Sequence, residues 1–184
     1  MRIKTKFFGE IDIKDEQAIL FPYGIYGFEE YTRFVLLYDN ENEQEYGGGH
    51  DNDVNHHIEN TGNNNVTEAV FGFLQCADDE NLCFTVVDPK FIDGAYSPKL
   101  PPGCVKQLNI VNTGDLMYLA IAVISDNLVD STVNMQGPIV VNSKNMIGAQ
   151  VILETHEPEN AKYGIKQKIF KTQRTQTQED FAKC

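Results

Sequence analysis

Three groups of residues in this 184-residue chain carry side chains able to do chemistry. The richest is His50, Asp51, Asp53, His56, His57 and Glu59, a mix of imidazoles and carboxylates that suits Zn²⁺ or Ni²⁺. An ion would first have to order the Asn- and Gly-rich stretch around them, and no cysteine ligand helps, so no metal is expected there. A second group, Asp78, Asp79 and Glu80, has the carboxylates of general acid–base catalysis, which work only if they face a cleft. On an acidic turn they are expected to be solvated. The third pairs Cys76 or Cys83 with His156 as nucleophile and base. Nothing in the sequence brings His156 near either thiol or lowers a thiol pKa. Gly47-Gly48-Gly49 lacks the Lys and the strand-to-helix context of a phosphate loop, and the GxSxG and HExxH patterns are missing. The expectation is a protein without catalytic residues, cofactor or metal.

Charge and hydropathy narrow the class further. The net charge is −12 and the pI about 4.6. Neutralising phosphates needs clustered Lys and Arg, so direct nucleic-acid binding is not expected. A basic partner, or solubility alone, fits better. The start, MRIKTKFFGEIDIK, has charge but no apolar core of a signal peptide. No apolar run approaches the roughly 20 residues of a membrane span, and the cysteines (76, 83, 104 and 184) form no CxxC pair. A reduced, cytoplasmic and monomeric protein is expected.

The elements that would position these groups read mostly as strands. Ile3, Thr5 and Phe7 alternate with Arg2, Lys4 and Lys6, and Ile11 and Ile13 with Glu10 and Asp12, a hairpin around Gly9. Phe21 to Phe28 mixes large apolar side chains with Pro22, Gly24 and Gly27, a loop that packs, with one helical turn from Phe28 to Thr32. Further strands are expected at 34–38, 69–76, 83–87, 116–124, 132–135, 139–141 and 150–154, with a short helix at 105–108. Residues 39–68 differ in kind: eight acids, no Lys or Arg, and mostly Asn and Gly otherwise. Such a stretch cannot offset its ordering entropy and is expected to be a disordered surface insertion. A polar tail is expected from 166 to 184, leaving one domain over 1–165. Many short strands with turn signals point to a barrel or a sandwich.

Three blocks then stand out in order. The first is Phe21-Pro22-x-Gly24-Ile25-x-Gly27-Phe28-Glu29. The second is Leu74-Gln75 with Asp88-Pro89. The third is Thr132-Val133-Asn134, then Pro138-Ile139-Val140-Val141-Asn142, then Gly148 and Gln150-Val151-Ile152-Leu153. Together they resemble the FliW family of bacterial flagellar assembly factors over about 1–156, with 39–68 and the tail as departures. The resemblance implies a compact, single-domain, β-barrel-like fold with one or two short helices and no enzymatic activity. It implies binding to CsrA, a small RNA-binding repressor of flagellin mRNA, and to flagellin, in a partner switch that relieves repression. A flagellin chaperone without a CsrA role and a split-barrel cofactor-binding enzyme are the alternatives. For partner contact the candidates are Tyr23, Ile25, Tyr26, Phe28, Asn134 and Asn142; aromatics on a constrained loop make low-entropy anchors.

Overall fold

The computed structural model describes residues 1–38 and 71–170. The expected insertion at 39–68, its candidate metal ligands and the chain beyond residue 170 lie outside the described residues. The chain opens with an antiparallel hairpin, β1 (Arg2–Thr5) and β2 (Gly9–Asp12), in which Ile3 stands opposite Ile11. Next come β3 (Ala18–Leu20), β4 (Arg33–Tyr38), β5 (Phe71–Cys76) and β6 (Cys83–Val87). Two short helices, α1 (Pro89–Ile92) and α2 (Pro102–Gln107), lie in the connection to β7 (Leu116–Val123). The rest is β8 (Thr132–Val133), β9 (Ile139–Asn142), β10 (Ile147–Gln150) and β11 (Gln167–Lys168).

Seven of these strands close on themselves in the order β7-β6-β5-β4-β3-β10-β9 and back to β7. The ring closes where Leu119 of β7 pairs with Ile139 of β9. One seam is parallel, β3 against β10 at Leu20 and Ile147; the other pairings are antiparallel. Closure removes the free edges that an open sheet would expose.

Strand residues alternate between two apolar environments, as the two-residue period requires. Ile19, Phe34, Leu74, Cys76, Val86, Leu119, Ile139 and Val141 share one cluster, with Phe21 and Ile25 added from the loop after β3. Their neighbours Val87, Ala120, Ala122, Val140 and Ala149 belong to a second cluster. It is covered by Tyr96 and Leu108 from the α1–α2 connection and by Leu153, Tyr163 and Ile169 from the chain after β10. The hairpin covers a third patch, where Ile3 and Ile13 meet Val35 and Leu37 of β4. Strands apolar on both faces explain why 116–124 reads as one continuous apolar run.

Several expected boundaries move. Phe7 does not continue β1. The Thr5 hydroxyl donates to the Gly9 carbonyl (2.8 Å) and accepts the Phe8 N–H (2.9 Å), so the turn begins at residue 6. Phe7 is exposed, its ring 5.3 Å from that of Phe73. No helical turn forms at 28–32; the Tyr31 N–H donates to the Phe28 carbonyl in a single turn (3.1 Å). The last barrel strand is Ile147–Gln150 rather than 150–154, because Gly148 and Ala149 occupy ladder positions that β propensity does not favour. The domain also passes 165: Gln167–Lys168 pair with β8, and Ile169 is buried.

One buried amide ties the hairpin to the barrel. Gln75 is fully buried; its Oε1 accepts the Lys6 N–H (2.9 Å), and its Nε2 points among the carbonyls of Cys76, Asp79, Glu80 and Leu82 at 3.0–3.4 Å. A side chain from β5 therefore organises both the hairpin and the β5–β6 turn. Gln75→Leu leaves these backbone groups without their partner. We expect a loss of about 1–3 kcal/mol in urea denaturation, with faster amide exchange at Lys6. An unchanged denaturation midpoint would contradict this role.

Gly148 sits directly against the Phe21 ring. A Cβ there would lie 2.8 Å from two ring atoms of Phe21, which is fully buried. Gly148→Ala is expected to cost about 1–3 kcal/mol through overpacking, read as a lowered thermal midpoint. Paired Phe21→Leu, which frees ring volume, should recover part of the loss.

Candidate functional site

No deep catalytic cleft gathers the chemistry-bearing side chains among the described residues. Asp78 pairs with the Arg33 guanidinium, raising the arginine's pKa. Asp79 accepts the Tyr31 hydroxyl (3.2 Å), and that contact raises the phenol's pKa. Its other oxygen accepts the Asn81 N–H (2.9 Å), a side-chain closure of the β5–β6 turn. These carboxylates build a turn beside an open groove of about 510 Å³ that Arg2 and Lys4 also line. Cys76 lies within the barrel, where burial pushes its thiol up; Cys83 is shifted the same way, and Cys104 to about 11. Raised thiols are poor nucleophiles near neutral pH. His156 is exposed and faces Glu154 and Glu157.

The loop after β3 is built for presentation. Phe21 enters the barrel interior, edge-on to Phe34 with ring centroids 5.2 Å apart. The chain then doubles back so closely that a Cβ at Gly24 would stand 2.5 Å from the Glu29 Cα, and Gly24 has φ +66°. Only glycine fits both demands. Ile25 is pulled inside at 1% exposure, and the Phe28 N–H donates to its carbonyl (2.7 Å). Gly27, at φ +82°, donates its N–H to Glu29 Oε1 (2.9 Å), which holds that carboxyl below its usual range. The Tyr26 N–H donates to Gln150 Oε1 (3.2 Å), and Gln150 Nε2 donates to the Gly137 carbonyl (3.2 Å). One glutamine on β10 thus fastens this loop to the turn before β9.

With its backbone fixed, the loop turns two side chains outward: Tyr23 is 73% exposed and Tyr26 62%. They flank a shallow groove of about 340 Å³ shared with Glu29, Gln107 and Gln150. Glu29 and Glu30 of the same loop are exposed, as is Glu80 on the neighbouring turn that Tyr31 reaches. A rigid, exposed aromatic pair beside carboxylates has the composition that interface centres favour.

The six candidate contact residues separate accordingly. Tyr23 and Tyr26 lie together at the surface. Phe28 is half-buried, its ring edge-on to Phe84 at 5.2 Å. Ile25 belongs to the interior cluster and is withdrawn from contact. Asn142 is also withdrawn: at 4% exposure, its Nδ2 donates to the carbonyls of Leu108 (2.9 Å) and Asn109 (3.3 Å), and its Oδ1 accepts the Lys144 N–H (3.0 Å). It fastens the end of α2 to β9. Asn134 accepts the Gly137 N–H (2.8 Å) and shapes the turn that Gln150 grips. Sequence reasoning missed Gln150 and Gln107 as neighbours of the tyrosines. The available signal for Gln150 was a polar residue at the inward-alternating end of a strand motif.

The FliW protein family model matches residues 2–46 and 57–169, passing over 47–56. The flagellar assembly factor FliW of Alkaliphilus metalliredigens is 30% identical over 97% of this chain and 94% of its own length. That of Ruminiclostridium cellulolyticum is 34% identical over 85% and 89%. A crystal structure of the flagellar assembly factor FliW superposes with a TM-score of 0.72 at 28% identity, covering 94% of this chain and 99% of that one. Matched by the family model over most of its length and by relatives 30% and 34% identical, this chain belongs to the FliW family of flagellar assembly factors.

Proposed function

We propose that this protein acts in the cytoplasm as a binding regulator rather than an enzyme, capturing CsrA so that flagellin mRNA is translated, and releasing it when flagellin takes its place. The observation that carries the reading is the rigid loop that holds Tyr23 and Tyr26 outward beside Glu29 and Glu30. Exposed tyrosines on an immobile backbone give up little side-chain entropy on binding, which is what an interface centre needs.

Charge supports the same partner. A surface that binds RNA is basic, because RNA is a dense polyanion. An acidic protein docking beside it speeds encounter and repels RNA over a Debye length of about 8 Å at physiological salt. It does so without covering the RNA site. The Phe21–Glu29 loop and the Asp78–Glu80 turn supply that charge within the folded domain.

The decisive measurement is a calorimetric titration of the chain with CsrA from the same cell, repeated with flagellin as competitor. Binding to CsrA that flagellin displaces is expected. Binding to flagellin alone would identify a chaperone without a regulatory role. Tyr23→Ala combined with Tyr26→Ala should weaken the CsrA complex by at least about tenfold, equal to about 1.4 kcal/mol. The melting temperature should stay unchanged, since neither ring is buried.

The family model covers 39–46 and 57–68 of the stretch read as an insertion and passes over 47–56 alone, so residues 47–56 are the part this function is not expected to need. Deleting them is expected to leave the melting temperature and the CsrA affinity at their parent values. A tenfold loss of affinity on deletion would place the segment in the interface.

A further inference from the structure

We propose that Glu154, His156 and Glu157 form a surface site for a borderline divalent cation of the Zn²⁺ or Ni²⁺ class. One donor atom from each of the three lies within 4.8 Å of the others. His156 Nε2 stands 3.3 Å from Glu154 Oε2 and 3.9 Å from Glu157 Oε1. Two ligands held at about 2.0–2.1 Å by one tetrahedral ion are separated by roughly 3.4 Å. The His156–Glu154 spacing already meets that value, and a contraction of about an ångström by the Glu157 carboxylate completes the set.

The donors are chemically selective. A neutral imidazole and two carboxylates match the 2+ charge and leave a fourth position to water. The imidazole nitrogen favours this class of ion over Mg²⁺ and Ca²⁺, which take oxygen ligands. The cluster differs from a run of surface acids in having this nitrogen donor between its two carboxylates.

The scaffold beneath is fixed. The Glu157 N–H donates to the Glu154 carbonyl (3.1 Å), closing the turn that carries all three ligands. Leu153 anchors the turn on one side at 1% exposure, and Asn160 on the other at 0%. Asn160 exchanges hydrogen bonds with the Lys99 backbone, accepting at 2.9 Å and donating at 3.0 Å. Lys99 Nζ holds Glu157 Oε2 at 2.7 Å, leaving Oε1 as the oxygen that faces His156. An outer partner of this kind orients a ligating carboxylate.

The chain has four histidines, three of them at 50, 56 and 57. The test therefore uses the full chain with His50→Asn, His56→Asn and His57→Asn, which makes His156 the only imidazole. Its ring proton signals should broaden on substoichiometric addition of NiCl₂. Calorimetry with ZnCl₂ should show one saturable site in the micromolar range. Adding His156→Ala or Glu154→Gln should weaken Zn²⁺ binding at least about tenfold, as expected when one of three protein ligands is lost, with the metal-free melting temperature unchanged. The proposal is overturned if the ring signals ignore excess Ni²⁺, if binding appears only at millimolar Zn²⁺, or if either variant binds Zn²⁺ as tightly as its parent.

Discussion

The close approach of the Phe21 ring to the backbone of Gly148 is the contact on which the rest of the site depends. A barrel of seven short strands has little interior volume, and Phe21 fills it at the end of β3, beside the one parallel seam. A side chain at 148 would occupy the same space. With Phe21 held, the loop must turn at once, and Gly24 permits it to double back against Glu29. Ile25 follows Phe21 inward, so Tyr23 and Tyr26, on either side of it, point out. The exposed tyrosines and the buried core side chains are therefore set by the same packing constraint.

Both faces of the barrel wall are apolar, and that organises the rest of the chain. A closed sheet with one apolar face could stand with a solvated exterior; here Val87, Ala120, Ala122, Val140 and Ala149 require cover. The connection through α1 and α2 and the chain after β10 supply it, which is why so much of the domain lacks regular structure yet remains packed. Buried amides substitute for ladders in these coats. Gln75 fastens the hairpin, Asn142 fastens α2, and Asn160 joins the 154–163 segment to Lys99. Each satisfies backbone groups that a helix or a sheet would otherwise satisfy, at the cost of depending on one residue type at one position.

Strand positions were legible because short apolar runs bounded by turn residues mark them even where both faces are apolar and alternation is lost. Residues 34–38, 83–87 and 116–124 fall on β4, β6 and β7 within a residue at either end. The barrel was legible as a fold class, through the turn signals and the family resemblance, but its closing pair was not: nothing in the local pattern says that β9 pairs with β7 as well as β10, a contact between residues far apart in sequence. Ile25 and Asn142 were misread for a related reason. Both lie in motif segments that could serve either surface or scaffold, and burial depends on tertiary neighbours that no short window contains. The outward placement of Tyr23 and Tyr26 was legible because a loop closed by Pro22, Gly24 and Gly27 has room inside for only some of its large side chains.

Acidity and recognition are also coupled more tightly than composition suggests. Eight of the chain's acids fall within 39–68, so net charge alone says little about the folded surface. Within the barrel, Asp78 and Asp79 are partly committed to Arg33 and Tyr31, and the Glu29 carboxyl accepts the Gly27 N–H. These carboxylates act first as struts of the turns they occupy. Their charge still projects a field across the end of the barrel, because an exposed ion pair or hydrogen bond does not cancel the monopole of its neighbours. Glu30 and Glu80 add to it from the same two turns. Under the proposed function, shape supplies the anchor through two tyrosines, and the struts that fix that shape supply the charge that would steer a basic partner towards it.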